Sequence, residues 1–186
     1  MKIAGVVLAA GLSTRFGGDK KLIEFNGETL VARAVRTATE AGLSLVIAVI
    51  LDAVLIDSLQ KLGATVLLNR RKYEGLSSSI AVGVRAAKML GSDGLVLMTC
   101  DQPALTVDHL HALVAEPHEP TGSAYAGRVG VPAYFPKTSF DALLALKGDA
   151  GARELLREAR AVPNEALALD IDTPADLERA RELLRG

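Results

Sequence analysis

Between Leu8 and Leu22 the sequence reads LAAGLSTRFGGDKKL, which gathers Gly11, Gly17 and Gly18 with the hydroxyls of Ser13 and Thr14 and the cations Arg15, Lys20 and Lys21. Glycines let backbone N–H groups approach an anion closely, an arginine offers a planar fork and a lysine a point charge, so this segment has the makings of a phosphate loop. Two widespread glycine-rich patterns do not fit it. G-x-G-x-x-G would need glycine where Ser13 stands, and G-x-x-x-x-G-K would need one at Phe16. A surface turn with solvated charges would draw on the same residue types.

Asp101 is the second candidate. It follows the apolar run GLVLMTC and opens Asp-Gln-Pro, where a carboxylate can cap a turn or give a hard oxygen ligand to Mg²⁺ shared with substrate phosphates. The third is Gly75–Ser79, ahead of an apolar stripe beginning at Ile80, where Ser77 suits a helix N-cap. Arg70, Arg71 and Lys72 lie just before it and suit either a solvated face or an anionic second substrate. Asp149, beside Gly148, and Asp172, before Thr173-Pro174, are further carboxylates at expected helix starts.

These residues need a frame, and the apolar pattern supplies one. Ile3–Ala10, Leu45–Leu51, Ala64–Leu68 and Gly94–Cys100 read as strands apolar on both faces. Leu30, Ala34, Val35 and Ala38, then Ile80, Val84, Ala87 and Leu90, have helical spacing. Buried strands alternating with amphipathic helices imply a parallel α/β sheet, with ligands at the carboxyl ends of its strands, after Ala10, Leu68 and Cys100. Ser123–Ala126 and Val131–Phe135 read as a strand pair, Ser139–Leu146 and Ala150–Ala159 as helices, Ala166–Ile171 as a last strand, and Pro174–Leu184 as a helix capped by Thr173. No linker or repeat divides residues 1–186, so one domain is expected.

Composition narrows the classes of function. Half the chain (49%) is hydrophobic, enough for a core without disulfides, and 21 Lys+Arg against 22 Asp+Glu give a net charge of −1 with no field for a nucleic-acid backbone. Cys100 has no partner for a disulfide, and the apolar runs are too short for a membrane helix, so a soluble cytoplasmic protein is expected. No histidine lies close to Cys100 in sequence, which favours a small buried residue there over a nucleophile.

The first loop resembles the L-A-A/G-G-x-S-x-R-x-G-x-x-K signature of the MobA/MocA-like nucleotidyltransferases. The resemblance extends through G-L/M-S-x-S (Gly75, Ser77), D-Q/M-P (Asp101), G-D-x-G-A-R (Gly148–Arg153) and N/D-x-N/D-T-P-x-D-L (Asp170–Leu177). It implies a Rossmann-like three-layer αβα sandwich with a mostly parallel sheet, of the nucleotide-diphospho-sugar transferase type. By it, Leu8, Ala9, Ala10, Gly11, Ser13, Arg15 and Lys20 bind nucleotide phosphates and base, as do Gly75, Ser77 and Ser78. Asp101 and Asp172 would hold Mg²⁺, with Asp170 a second choice. Lys20, Arg15 and Asp101 would carry catalysis, and Gly130, Pro132, Asp149 and Arg153 would meet the acceptor. Val131 stands where many members have histidine.

The activity implied is Mg²⁺-dependent transfer of a nucleotidyl group to the terminal phosphate of molybdopterin with release of pyrophosphate. The expected donor is CTP, since L-A-A-G and G-L-S-x-S resemble the cytidylyl branch and the Ala10 methyl would narrow the base slot. The alternatives are transfer from GTP, another phosphorylated acceptor, or a non-catalytic nucleotide-binding protein. The last would hand molybdenum cofactor to a molybdoenzyme. A recipient molybdoenzyme is the protein partner the resemblance implies.

Overall fold

The computed structural model describes residues 1–10, 23–71 and 74–184. A seven-stranded sheet organises the chain. Strand β1 (Ile3–Ala9) lies between β4 (Leu45–Ile50) and β6 (Gly94–Thr99), parallel to both, and β5 (Thr65–Leu68) adds beyond β4. On the other side β8 (Arg128–Pro136) runs antiparallel to β6. Strands β7 (Thr121–Tyr125) and β9 (Arg160–Pro163) follow, giving the order β5-β4-β1-β6-β8-β7-β9 with β8 the one reversed strand. A hairpin, β2 (Glu24–Phe25) with β3 (Glu28–Thr29), stands apart. The expected Rossmann-like α/β sandwich is what the chain forms.

Every residue of β1 is buried, and its side chains divide with period two. Val7 and Ala9 enter the core beneath α1 (Leu30–Glu40) and α4 (Val107–Leu113), while Val6 and Leu8 enter the one beneath α3 (Leu76–Met89) and α5 (Phe140–Leu144). Gly83 brings α3 down onto the sheet, because a methyl group there would overlap the Val6 side chain. A third, smaller cluster joins Phe25 and Leu30 to Ile171 and to Ala180 of α6 (Pro174–Leu183). Thr173 caps α6 in a reciprocal box with Asp176, as expected, and that bonding holds the Asp176 carboxyl below its ordinary range.

Several expected elements differ. Ala166–Ile171 is not a strand: residues Glu165–Ala168 form a 3₁₀ turn, and the last strand is β9, where an Arg-Ala-Val-Pro sequence gave too short an apolar signal. Ala150–Ala159 forms only a 3₁₀ turn over Ala152–Leu156, since Gly151 and the charged Arg153, Glu154 and Arg157 leave one narrow apolar stripe. The N-cap of α3 is Gly75 and not Ser77, which lies inside the first turn. Short α2 (Ile56–Lys61) and α4 are additional helices, each under two or so turns.

Candidate functional site

The register of the parallel strands fixes the site. Leu8 pairs with Thr99, Ala9 with Ile50, and Ile50 with Leu68, so the segments leaving β1, β4, β5 and β6 emerge along one edge. Leu8, Ala9 and Ala10 lie buried at that edge, and Asp101 stands two residues beyond the end of β6, half-buried. Because β8 is reversed, its first residue, Arg128, reaches the same edge. There Arg128 approaches Asp170 at 3.9 Å and lies over the Tyr125 ring, 5.4 Å from its centroid.

The backbone segments that carry Asp101 and Asp172 meet although the two residues are seventy-one positions apart. The Ile171 amide donates to the Asp101 carbonyl at 2.9 Å, which places Asp172 next to the Asp-Gln-Pro turn. Three anchors hold this arrangement. Ile171 is fully buried against Phe25 and Leu30, burial worth about 2 kcal/mol for an isoleucine. Gln102 donates from Nε2 to the Leu167 carbonyl at 3.0 Å, and Arg33 of α1 donates from Nε to the Pro103 carbonyl at 2.9 Å. Arg33 and Arg36 also share Glu28, whose carboxyl is held below its usual range chiefly by the Arg36 hydrogen bond. Asp176 takes the amides of Asp172 and Thr173, which fixes the backbone of the Asp172 segment while the side chain of Asp172 is exposed.

Two carboxylates on one edge suit a hard divalent ion that takes its remaining oxygens from phosphates and water. Among the described residues no three His, Cys, Asp or Glu side chains converge into a metal cage.

The β5–α3 connection is held by Asn69, a buried residue that motif reasoning did not select. Its Nδ2 donates to Ser78 Oγ and Ser79 Oγ, each at 2.9 Å, and its Oδ1 accepts from the Arg71 amide. Ser78 in turn donates toward the Arg71 and Gly75 carbonyls. Its hydroxyl thus bolts the loop together, whereas Ser77 is buried in the first turn of α3. Gly75 adopts φ +82°, and a Cβ there would overlap the Gly148 carbonyl and come within 2.7 Å of Asp149 Oδ1. The Ser77 amide donates to that same Gly148 carbonyl at 3.1 Å. The Gly75–Ser77 and Gly148–Asp149 segments, assigned from sequence to nucleotide and acceptor, are therefore one packed unit.

The acceptor residues do not gather at one place. Gly130 and Pro132 are buried within β8, Asp149 is exposed over Gly75, and Arg153 lines a separate cleft with Arg128 and Arg157. Behind β8, Ser123 Oγ donates to the Pro132 carbonyl at 2.5 Å, so it accepts from His109 Nε2 at 2.7 Å. Burial pushes the His109 pKa down and keeps the ring neutral. The Tyr125 hydroxyl donates to the Val131 carbonyl at 2.7 Å, and burial raises its pKa. Sequence gave no signal for these bonds, since His109, Ser123 and Tyr125 belong to no motif. Gly11, Ser13, Arg15 and Lys20, with Lys21 and Lys72, lie outside the described residues.

Residues 5–163 match the MobA-like NTP transferase domain. The chain is 33% identical to the purine catabolism protein PucB of Bacillus subtilis, covering 98% of this chain and 97% of that one. It is 32% identical to the molybdenum cofactor guanylyltransferase of Rhodobacter capsulatus, covering 100% and 98%. The crystal structure of Rv0371c from Mycobacterium tuberculosis superposes with a TM-score of 0.80 at 28% identity, over 98% of both chains, and that protein has also been crystallised with manganese at 26% identity and TM-score 0.77. No helix among the described residues is long and apolar enough to cross a membrane.

These relatives overturn one expectation. The matched proteins whose names specify a molybdenum cofactor nucleotide are guanylyltransferases, or probable ones, which contradicts CMP transfer from CTP to molybdopterin. The reason is visible at Ala10, which is 3% exposed and packs in the core with Leu8 and Ile80, so its methyl group does not narrow a base slot. One methyl group in an apolar pocket would in any case discriminate by only about 1–3 kcal/mol. Sequence, sheet order and the paired carboxyl-edge segments agree on the wider assignment: the chain belongs to the MobA-like NTP transferase family.

Proposed function

We propose that this chain transfers GMP from GTP to the terminal phosphate of molybdopterin, releasing pyrophosphate. The observation that carries the proposal is the bond from the Ile171 amide to the Asp101 carbonyl, which sets two carboxylate-bearing segments side by side at the carboxyl edge of β6. The full-length match to the Rhodobacter guanylyltransferase supports GTP and molybdopterin as substrates, and the manganese complex of Rv0371c supports a divalent cation.

Asp101 and Asp172 would hold Mg²⁺, which when bound offsets the charge of the triphosphate. Arg15 and Lys20 would hold phosphate oxygens, and the Gly75–Ser77 segment would position the nucleoside. The acceptor phosphate oxygen forms a bond to the α-phosphorus as the bond to the pyrophosphate oxygen breaks. No general base is needed, because a phosphate monoester with a second pKa near 6 is already largely dianionic at neutral pH. The chain's task is in-line placement and charge compensation.

A second reading keeps the chemistry and changes the acceptor to another phosphorylated small molecule. Val131 and the full-length match to PucB favour it. Pyrophosphate release with Mg²⁺, molybdopterin and each of four ribonucleoside triphosphates separates the readings. Release with GTP alone supports the first. GTP–Mg²⁺ binding without release in the presence of molybdopterin removes the acceptor assignment, and release with a different triphosphate removes the base assignment.

A further inference from the structure

A cleft of about 520 Å³ opens beyond the edge strand β5, between the outer face of α3 and the end of α5. Four cations converge on it: Arg70 and Arg71 after β5, Arg85 on the third turn of α3, and Lys147 after α5. The chain as a whole carries a net charge of −1, so this is a local concentration. Among the described residues, Arg70, Arg85 and Lys147 have no ion-pair partner. Arg71 has only Glu74, at 3.9 Å with both side chains largely exposed, a contact of little strength.

The cations stand on fixed ground. Asn69, buried beneath them, ties the Arg71 amide to Ser78 and Ser79, and Arg85 rides on a fourteen-residue helix packed on the sheet. Between the charges the wall is apolar, formed by Leu68, Ala81, Val82, Leu144 and Leu146. Leu68 is 36% exposed there. Asp101, Ala10, Val131 and Asp172 are absent from its lining, and only the start of α3 and Gly148 are common to the cleft and the nucleoside segment.

From this arrangement the geometry points to a second ligand site, built for a small organic phosphate. Its anionic head lies among Arg70, Arg71, Arg85 and Lys147, and its apolar body lies on Val82, Leu144 and Leu146. A volume of this size suits a small molecule, and it is concave where an extended polyanion would need an open stripe. Arginine forks supply bidentate bonds to phosphate oxygens and Lys147 a point charge, while the leucine wall rejects free inorganic phosphate in favour of an ester. Occupancy would pull on the Arg71 backbone that Ser78 and Asn69 hold, and so reach the Gly75–Ser77 segment. The site stands independently of the reaction proposed above.

The test titrates the full chain with 1-naphthyl phosphate, followed by calorimetry and by methyl chemical shifts. Saturable binding is expected, with shifts at Val82, Leu144 and Leu146, and with 1-naphthol and inorganic phosphate both weaker. Arg85→Glu with Lys147→Glu should weaken binding about tenfold or more, and Glu74→Gln should strengthen it. Nucleotidyl transfer in the absence of the probe should stay unchanged in both. Equal binding by wild type and the double variant, or shifts confined to Leu8 and Ala10, would overturn the site. Inorganic phosphate binding as tightly as the ester would overturn its organic character, and a hexaglutamate peptide binding more tightly than the ester would make the cleft a docking surface instead.

Discussion

The two halves of the sheet present their edge residues by different means. From β5 to β6, parallel strands end together, and the residues that follow them are held by backbone register and by short local bonds such as Asn69 to Ser78 and Ser79. From β8 to β9, position is set by side chains bonding carbonyls from behind, Ser123 to Pro132 and Tyr125 to Val131, with His109 holding the Ser123 hydroxyl. The first half can vary its loops without losing its frame. The second half fixes its backbone through buried polar groups, where one lost partner is costly.

The largest effect expected lies in the first half. Asp101→Asn should lower turnover about 100-fold or more while the fold persists, matching the loss of one preorganised electrostatic group, and Lys20→Ala should do the same. Steady-state kinetics with a Mg²⁺ titration checks both. An unchanged Mg²⁺ dependence in Asp101→Asn would show that this edge is not the metal-bearing one.

Gly75→Val sharpens the contrast by striking the junction of the nucleoside and acceptor segments. With φ +82° and the Gly148 carbonyl in its path, the side chain should cost about 3 kcal/mol, read from denaturant midpoints, and raise KM for the nucleotide. Its failure to shift the midpoint would mean that Gly148 moves freely, contrary to the bond from the Ser77 amide.

His109→Ala probes the second half and should cost about 2 kcal/mol by unpairing Ser123 and opening a small cavity. Burial depresses the His109 pKa, so the unfolded chain binds its proton first as pH falls. The histidine's contribution is therefore fully present above its ordinary value of 6.5 and declines from there down to the folded pKa. Urea unfolding across that window should show a stability slope in the wild type that His109→Ala flattens. The smallest effect is at α6, where Thr173→Ala should lose a cap worth about 1 kcal/mol and loosen the Asp172 segment without abolishing activity.

How much of this could be read beforehand follows the same division. The strands β1, β4 and β6 announce themselves as apolar runs because both their faces are buried, the edge strand β5 shows only as a short apolar run, and the Gly75 and Asp101 loops follow directly from where those runs stop. Thr173-Pro174 with Asp176 three positions after the threonine is a local signal, and the helix starts there. The bond that unites Asp101 with Ile171 has no local signature, and neither does the choice of Ser123, His109 and Tyr125 as carbonyl donors or relays. Strand β9 escaped notice because four residues with mixed exposure carry too little periodicity. The base assignment fails for a related reason: Ala10 follows the end of β1, and its packing with Leu8 and Ile80 in the core has no local signature.

The single reversed strand has a further consequence, in the order of synthesis. The parallel strands β1, β4, β5 and β6 are all complete by Thr99, yet β6 is covered on its far edge only by β8, which begins at Arg128. While a growing chain emerges from the ribosome, residues Gly94–Thr99 therefore present an apolar strand with an unpaired edge until some forty further residues have been made, the span between Thr99 and Pro136. Slowing translation between residues 100 and 136 should raise the demand for chaperones, whereas the same pause placed after Pro136 should be harmless to solubility and should delay only the arrival of Asp172.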